Sequence, residues 1–362
     1  MRNASLFPVL CLLVSVAGDA EAQTRVASWN IQNLGWNNGK DYLALAEVGA
    51  WFDLISVQEV MTEEGIARFQ EALSRRTGID WERICSHLLG RGSYREMYCL
   101  VWRPDEVSLL GGAAIYLDDR DVFAREPFSA NFITRDGFAF VATSIHAVYG
   151  NSVAERAAEA EALRGYRDWL VSISDGLPVF LMGDFNLAPG NPAWSALGEV
   201  AYPLIREGGT TISTIEGRFA NLYDNIWVPV GVDLPVAAYG RLEFPRDVLG
   251  ISHAEARATV SDHIPVWVEI DVLGEWSRFP THDVSPSGIR SARTENGDVK
   301  MDLIVYEFPD FAVVGNRNSG LYHLPWCPSY ELVAPRNRAV FVSVEDAKKN
   351  GYRRAGNCGP RE

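Results

Sequence analysis

Long apolar runs are nearly absent from this chain: after Ala20 no stretch is long and apolar enough to cross a bilayer. Basic residues are in deficit, 33 against 47 acidic, for a formal charge of −14. That balance excludes binding of polyanions through bulk charge, so any nucleic-acid contact must come from a local patch or through metal ions. Cysteine is sparse, 5 residues in 362, and neither an internal repeat nor a low-complexity tract occurs. What remains is of globular proportions, 47% hydrophobic and 22% charged, with length for one large domain or one large and one small.

The first residues are the exception. Arg2, the apolar "LFPVLCLLVSVAG" and the small-residue "AEA" before Gln23 read as a signal peptide over residues 1–22, cut after Ala22. A buried first helix fits less well, because the run is short and polar residues follow it at once. A lipoprotein cysteine at Cys11 is disfavoured by Leu10 before it. The reading places the protein outside the cytoplasm, secreted or periplasmic, and leaves Cys85, Cys99, Cys327 and Cys358. An even count in an oxidising compartment permits two disulfides. Cys85 and Cys99 flank "SHLLGRGSYREMY", and a hairpin centred on Gly92 would set them opposite each other.

From Arg25 to about Asp271, short runs rich in β-branched and aromatic residues alternate with helical stretches. "RVASWNI", "FDLISVQEV", "YCLVWRP", "FAFVATSIHA", "PVFLMGDF", "NLYDNIWV" and "IPVWVEID" read as strands. Ser152 and Glu155 cap a helix in which Val153, Ala157, Ala160, Leu163, Tyr166 and Leu170 recur at helical spacing, and Thr62 starts another that stops at Gly78. Strands mixed with packed helices predict a layered α/β domain. Residues 272–300 lose the periodicity and fill with Ser, Pro, Gly and Thr, as a linker does. A small unit, residues 301–362, follows.

Polar residues recur where the apolar runs end: Asn30, Glu59, His146, Asp184, Asn186, Asp224, Asp262 and His263. One alone would be a turn or a cap; eight at strand ends converge on one sheet edge, where ligand sites form. The motifs contain no cysteine and no serine in a nucleophile-elbow setting, so the nucleophile is water. Carboxylate and amide oxygens suit Mg²⁺, and two histidines can act as general base and acid. Together these are the apparatus of phosphodiester hydrolysis.

"SWNIQNLG", "ISVQEV", "SIHAVYG", "LMGDFN", "LYDNIWV" and "VSDHIPV", in this order, resemble the motif series of the endonuclease/exonuclease/phosphatase superfamily. "LGRGSYREMYCLVWRPDEVSLL" and "REPFSANF" resemble its deoxyribonuclease I-like branch. The resemblance implies a four-layer α/β sandwich of two packed mixed sheets flanked by helices, and a DNA-cutting endonuclease that needs Mg²⁺, with Mn²⁺ or Ca²⁺ as other candidates. No obligate protein partner is evident in the sequence, and a monomer is expected. A phosphodiesterase of the same fold acting on a phospholipid or small phosphoester is the alternative.

Carried over residue by residue, the resemblance gives Glu59 to the metal with Asn30 beside it, and Asp184 and Asn186 to the attacking water and scissile phosphate. It pairs Glu96 with His146 and Asp224 with His263, and Asp262 completes the metal and phosphate site. Arg91 and Tyr94 would enter the minor groove, and Arg125 would contact a phosphate, their alternatives being a solvated loop charge for Arg91 and a salt bridge for Arg125. Met61 and Asn225 stand where the branch commonly has arginine, which puts affinity and substrate preference in question.

"VVGNRNSGLYHLPWCPSY" with "VFVSVEDAKKNGYRRAGNC" resembles the metal-binding domain of the Ada DNA-repair protein. In that family four cysteines hold zinc; here His323, Cys327, Ala355 and Cys358 occupy the positions, one short of a structural zinc site. A Cys327–Cys358 disulfide, worth roughly 3 to 4 kcal/mol by loop closure, is therefore preferred to zinc. Ser343 and Asp346 form a capping box for a small helix.

Overall fold

The computed structural model describes residues 23–272 and, further on, 313–324, 327, 329–330, 332–333, 337–341 and 344–358. The expected signal peptide, the expected linker from 273 onward and the capping residue Ser343 lie outside the described residues.

The large unit opens with β1 (Thr24–Leu34), α1 (Tyr42–Gly49), β2 (Leu54–Val60), α2 (Glu63–Thr77), β3 (Glu82–Cys85) and β4 (Met97–Trp102). It goes on with β5 (Val107–Ile115), β6 (Phe128–Thr134), β7 (Ala139–His146), α3 (Val153–Ile173) and β8 (Val179–Asp184). Then come α4 (Ser195–Gly198), β9 (Ala201–Pro203), β10 (Asp224–Pro229), β11 (Val236–Arg241), α5 (His253–Thr259) and β12 (Val266–Ile270). The strands form two sheets, ordered β11-β12-β1-β2-β4-β3 and β5-β6-β7-β8-β10-β9. Each is mixed: β1 runs parallel to β2 and β7 parallel to β8, while the neighbours are antiparallel.

Side-chain alternation explains the layers. One set of faces, including Val26, Leu100, Phe132, Phe140, Met182 and Val268, closes on itself between the sheets. The opposite face of the first sheet packs Trp29, Val57 and Val101 against Leu45, Phe69 and Leu73 of α1 and α2. On the second sheet, Val141, Val179 and Leu181 meet Leu163, Tyr166 and Leu170 of α3. The result is the four-layer sandwich expected from the sequence.

The caps agree as well. Thr62 accepts from the Gly65 N–H at the start of α2, which Gly78 ends in the left-handed region, and Ser152 accepts from the Glu155 N–H ahead of α3. One helical residue departs from the expected stripe: Val153 lies exposed in the first turn of α3, whereas Glu159 is buried on the sheet-facing side.

Cys85 and Cys99 are disulfide-bonded across the β3–β4 ladder, with Cα atoms 4.1 Å apart. The hairpin around Gly92 is not a continuous ladder, however. Beyond the disulfide only Leu89 and Glu96 make an isolated bridge, in a register shifted by one residue. The intervening loop carries Arg91 and Tyr94.

The described part of the C-terminal unit is a sheet ordered β15-β13-β14-β16, made of β13 (Val313–Asn316), β14 (Leu321–His323), β15 (Arg338–Phe341) and β16 (Arg353–Arg354), with α6 (Val344–Lys349). Cys327 and Cys358 form the expected disulfide, their Cα atoms 4.7 Å apart. Sulfurs joined in this way are not thiolate ligands, and the His323 ring is hydrogen-bonded to the Ser329 hydroxyl at 3.0 Å.

Candidate active site

The adjacent parallel pairs β1·β2 and β7·β8 bring their C-terminal ends together where the two sheets meet. A cavity of about 680 Å³ opens there, lined by Glu59, Tyr94, Arg125, His146, Asp184, Asn186, Asp262 and His263 among the expected site residues. Asn30, Glu96 and Asp224 are fully buried directly behind it. Arg91 is not part of the lining: it pairs with the Asp121 carboxylate at 3.0 Å and with the Asp121 carbonyl.

Both histidines are held from behind. His146 Nδ1 lies 2.7 Å from Glu96 Oε1, and His263 Nδ1 lies 2.8 Å from Asp224 Oδ2. A carboxylate on one ring nitrogen fixes the tautomer and leaves the other nitrogen free for chemistry. Those free Nε2 atoms converge: each points at Asp184 Oδ2, from 3.6 Å for His146 and 3.7 Å for His263.

The remaining backbone explains how Asp184 is reached. β8 does not turn at Gly183, as its position at the end of "PVFLM" would suggest; the strand runs through to Asp184. Gly183 is required instead because its Cα passes under β7, at φ +157°, where an added Cβ would stand 2.0 Å from the Ile145 carbonyl oxygen. The turn comes two residues later. Asn186 sits in the left-handed region, at φ 49°, its N–H donating to Asp184 Oδ1 at 3.0 Å and its side-chain amide to the Ala147 carbonyl at 2.8 Å. Asp184 and Asn186 therefore meet through this turn rather than through strand alternation.

Glu59 is also left-handed, at φ 59°, where the β2–β4 register shifts. A non-glycine residue held in this way marks a site whose surroundings over-determine the backbone. Its N–H donates to Glu96 Oε2 at 2.7 Å, while its carboxylate accepts from Asn30 Nδ2 at 3.0 Å and from the Asn33 N–H at 2.9 Å. Asn30 Nδ2 reaches Asp184 Oδ2 as well, at 3.1 Å. One amide thus ties the Glu59 and Asp184 carboxylates together.

The donor chemistry fits a hard divalent cation. Glu59 and Asp262 offer carboxylate oxygens to the cavity, with no thiolate among them. Asp184, Asp224 and His263 also bring ligand atoms within 4.8 Å of one another. Asp224 Oδ2 and His263 Nδ1 engage each other there as the dyad that faces Asp184, while the buried Asp224 Oδ1 has no hydrogen-bond partner among the described residues.

Burial opposes charge on both imidazoles, but carboxylates outweigh it. His263 is pushed up to about 10 by Asp224 and Asp184, and His146 is raised by Glu96 although Arg125 opposes it. The His263 shift has a consequence for stability. A folded pKa above the unfolded value of 6.5 stabilises the fold fully below about pH 6.5, and that contribution is lost as pH rises through about 10. In EDTA, His263→Gln should be about 3 to 5 kcal/mol less stable than wild type near pH 6. Urea titrations should show the gap narrowing towards pH 10; a constant gap would refute the pairing.

Arg125 takes its salt-bridge alternative: Nε is 2.7 Å from Glu96 Oε1 and Nη2 donates to the His146 carbonyl at 2.9 Å. Met61 and Asn225 both have structural work. Met61 is buried in the core, and Asn225 ties β10 to the chain after β9 through both the N–H and the carbonyl of Ile205.

Several supporting residues escaped the sequence reading. The Tyr98 hydroxyl accepts from the His146 N–H at 3.0 Å, Ser261 bridges the His263 N–H to the Asn30 carbonyl, and Thr210 Oγ1 accepts from the Asp224 N–H. Buried Glu159 accepts from the Ala124 and Val148 N–H groups, fixing the loops on either side of Arg125 and His146. Its spacing to Leu163, Tyr166 and Leu170 put it on the apolar face of α3, a signal that could have found it. Lys40 Nζ donates to the Val260 carbonyl at 2.7 Å, and burial lowers its pKa to about 8 despite the nearby Asp262 and Glu59.

Among the described residues, neither imidazole is hydrogen-bonded to a side-chain hydroxyl that could attack. Carboxylates and two buttressed histidines around open space are the groups that hydrolysis by water requires. The sequence matches the Endonuclease/Exonuclease/phosphatase family over residues 27–263, and the chain belongs to that family. It is 47% identical over 270 residues to a deoxyribonuclease of Thioalkalivibrio sp. (strain K90mix), covering 72% of this chain and 74% of that one. To human deoxyribonuclease-1 it is 29% identical over 292 residues, covering 74% and 99%. In fold it is similar to the crystal structure of an endonuclease/exonuclease/phosphatase family protein from Bacteroides thetaiotaomicron, with TM-score 0.50 and 18% identity over 69% of this chain and 99% of that one.

Proposed function

We propose that the protein is a secreted or periplasmic, divalent-metal-dependent DNA endonuclease, with its catalytic unit in residues 25–271. The observation that carries the reading is the convergence of two carboxylate-buttressed imidazoles on Asp184, at 3.6 and 3.7 Å. The deoxyribonuclease relatives support DNA as the substrate, and the disulfides suit an oxidising compartment.

In this reading one dyad takes the proton from the attacking water, and the other delivers a proton to the leaving oxygen. Asp184 orients the water and Asn186 the scissile phosphate, while Asn30 and Glu96 hold Glu59 in place. Glu59 and Asp262 would hold Mg²⁺, which when bound supplies charge neutralisation at the phosphate oxygens. Arg125 acts through Glu96, restraining the carboxylate that His146 depends on.

The test uses protein beginning at Gln23, incubated with supercoiled plasmid, with sphingomyelin and with a generic phosphodiester, each in Mg²⁺ and in EDTA. Nicking of plasmid in Mg²⁺ that stops in EDTA is the expected result. Intact plasmid alongside lipid turnover would overturn it.

A further inference from the structure

Exposed aromatic rings stand at the cavity on segments drawn from both sheets. Tyr94, between β3 and β4, meets Trp36 edge to face with ring centroids 5.9 Å apart. Tyr149 follows β7, three residues after His146, and lines the cavity while keeping 61% of its surface exposed. The Arg156 guanidinium lies over the Tyr149 ring, 4.8 Å from its centroid.

Arg156 is itself fixed. Its Nη1 donates to the Asn186 carbonyl at 3.3 Å and to the Tyr223 hydroxyl at 3.2 Å, and its Nε to the Ser152 carbonyl at 3.4 Å. One face of the Tyr149 ring is therefore braced by a cation that is registered to Asn186 and so to the reacting centre. The rest of the ring is open to whatever enters the cavity. The mechanism above leaves both residues without a task.

Electrostatics narrows what that task can be. The chain has 47 acidic against 33 basic residues, and Glu59, Asp184 and Asp262 face the cavity beside Arg125 and Arg257, which are ion-paired with Glu96 and Asp262, so bulk charge contributes little to holding a polyanion. Ring contacts do not depend on charge balance, and every base offers a flat face. In a duplex those faces are covered by neighbouring base pairs; an unpaired base has one to give. We propose that the Arg156-braced Tyr149 ring is a stacking platform for an unpaired nucleobase beside the scissile phosphate, which makes single-stranded DNA a substrate of this site. The proposal rests on the reading of the site as a DNA nuclease.

The test measures kcat and KM of wild type, Tyr149→Phe and Tyr149→Ala on a single-stranded oligonucleotide and on the same strand annealed to its complement. Tyr149→Ala should lose about 5- to 150-fold in kcat/KM on the single strand, mostly through KM. On the duplex the loss should be about threefold or less, and Tyr149→Phe should behave as wild type on both. Equal losses on the two substrates would make Tyr149 merely structural and overturn the proposal. So would an unchanged rate for Tyr149→Ala on the single strand, or wild type that cuts the duplex and spares the single strand; in those cases the nuclease reading stands. Wild type that cuts neither strand form nor plasmid would overturn both.

Discussion

His146→Ala and His263→Ala should each lower kcat for plasmid nicking by about 10²- to 10⁴-fold, the range for removing a positioned general acid or base. The expectation follows from geometry. Each imidazole presents one nitrogen to the cavity and has the other engaged by a buried carboxylate, so its removal takes away a positioned proton-transfer group. In the proposed mechanism the two rings act on different protons of one reaction, so the double variant should lose little more than the worse single one if a common step limits both. Initial nicking rates in Mg²⁺, with circular dichroism to show that each variant is folded, decide the matter. Near-wild-type nicking by either folded variant would remove that histidine from the mechanism.

The carboxylates behind the histidines make the same site a source of stability and a restriction on its pH range. Glu96 serves three partners: the His146 ring, the Arg125 guanidinium and the Glu59 N–H. A single buried side chain thus couples the left-handed backbone at Glu59 to the orientation of His146. Asp184 adds to the pull on both protons, but Arg125 works against Glu96 at His146, whereas Asp262 adds a third carboxylate at His263. The two dyads are chemically unequal although built from the same parts, which is what a division into acid and base requires.

How much of this was legible in the sequence can be judged from particular residues. The buried strands β1, β2, β7, β8, β10 and β12 announce themselves as short apolar runs, and the polar residue at the end of each stands out by contrast. β5 and β6 are quieter. "VSLLGGAAI" holds a glycine pair and a half-exposed face, and "FSANFIT" interrupts its phenylalanines with polar residues that are nonetheless mostly buried. The supporting contacts were hidden for a different reason. Tyr98 and Thr210 act through hydroxyls on residues that packing or turn formation would explain equally well, and their partners are 48 and 14 residues away in sequence. The disposition of Arg91 depended on Asp121, 30 residues distant, so no local pattern could choose between a groove contact and an ion pair.

Gly183→Ala should cost about 3 kcal/mol or more, because the methyl group meets backbone and not a side chain that can swing aside. The Ile145 carbonyl oxygen would lie 2.0 Å from the new Cβ, with its carbonyl carbon at 2.7 Å and Cα at 2.9 Å. Ile145 and Gly183 are register partners in the parallel β7–β8 pair, followed at once by the partners His146 and Asp184. Relief of the clash would have to part these two strands where they deliver the histidine and the carboxylate, so activity should fall together with stability. At about 2 to 4 °C per kcal/mol for a domain of this size, the midpoint of thermal unfolding should drop by roughly 6 °C or more. Gly190→Ala provides the comparison, since a Cβ there meets nothing within 4 Å and should leave the midpoint within a degree or two. A Gly183→Ala protein that melts and nicks plasmid like wild type would show that the strands can separate at this point without cost, and would undo the account of why "MGDFN" begins with glycine.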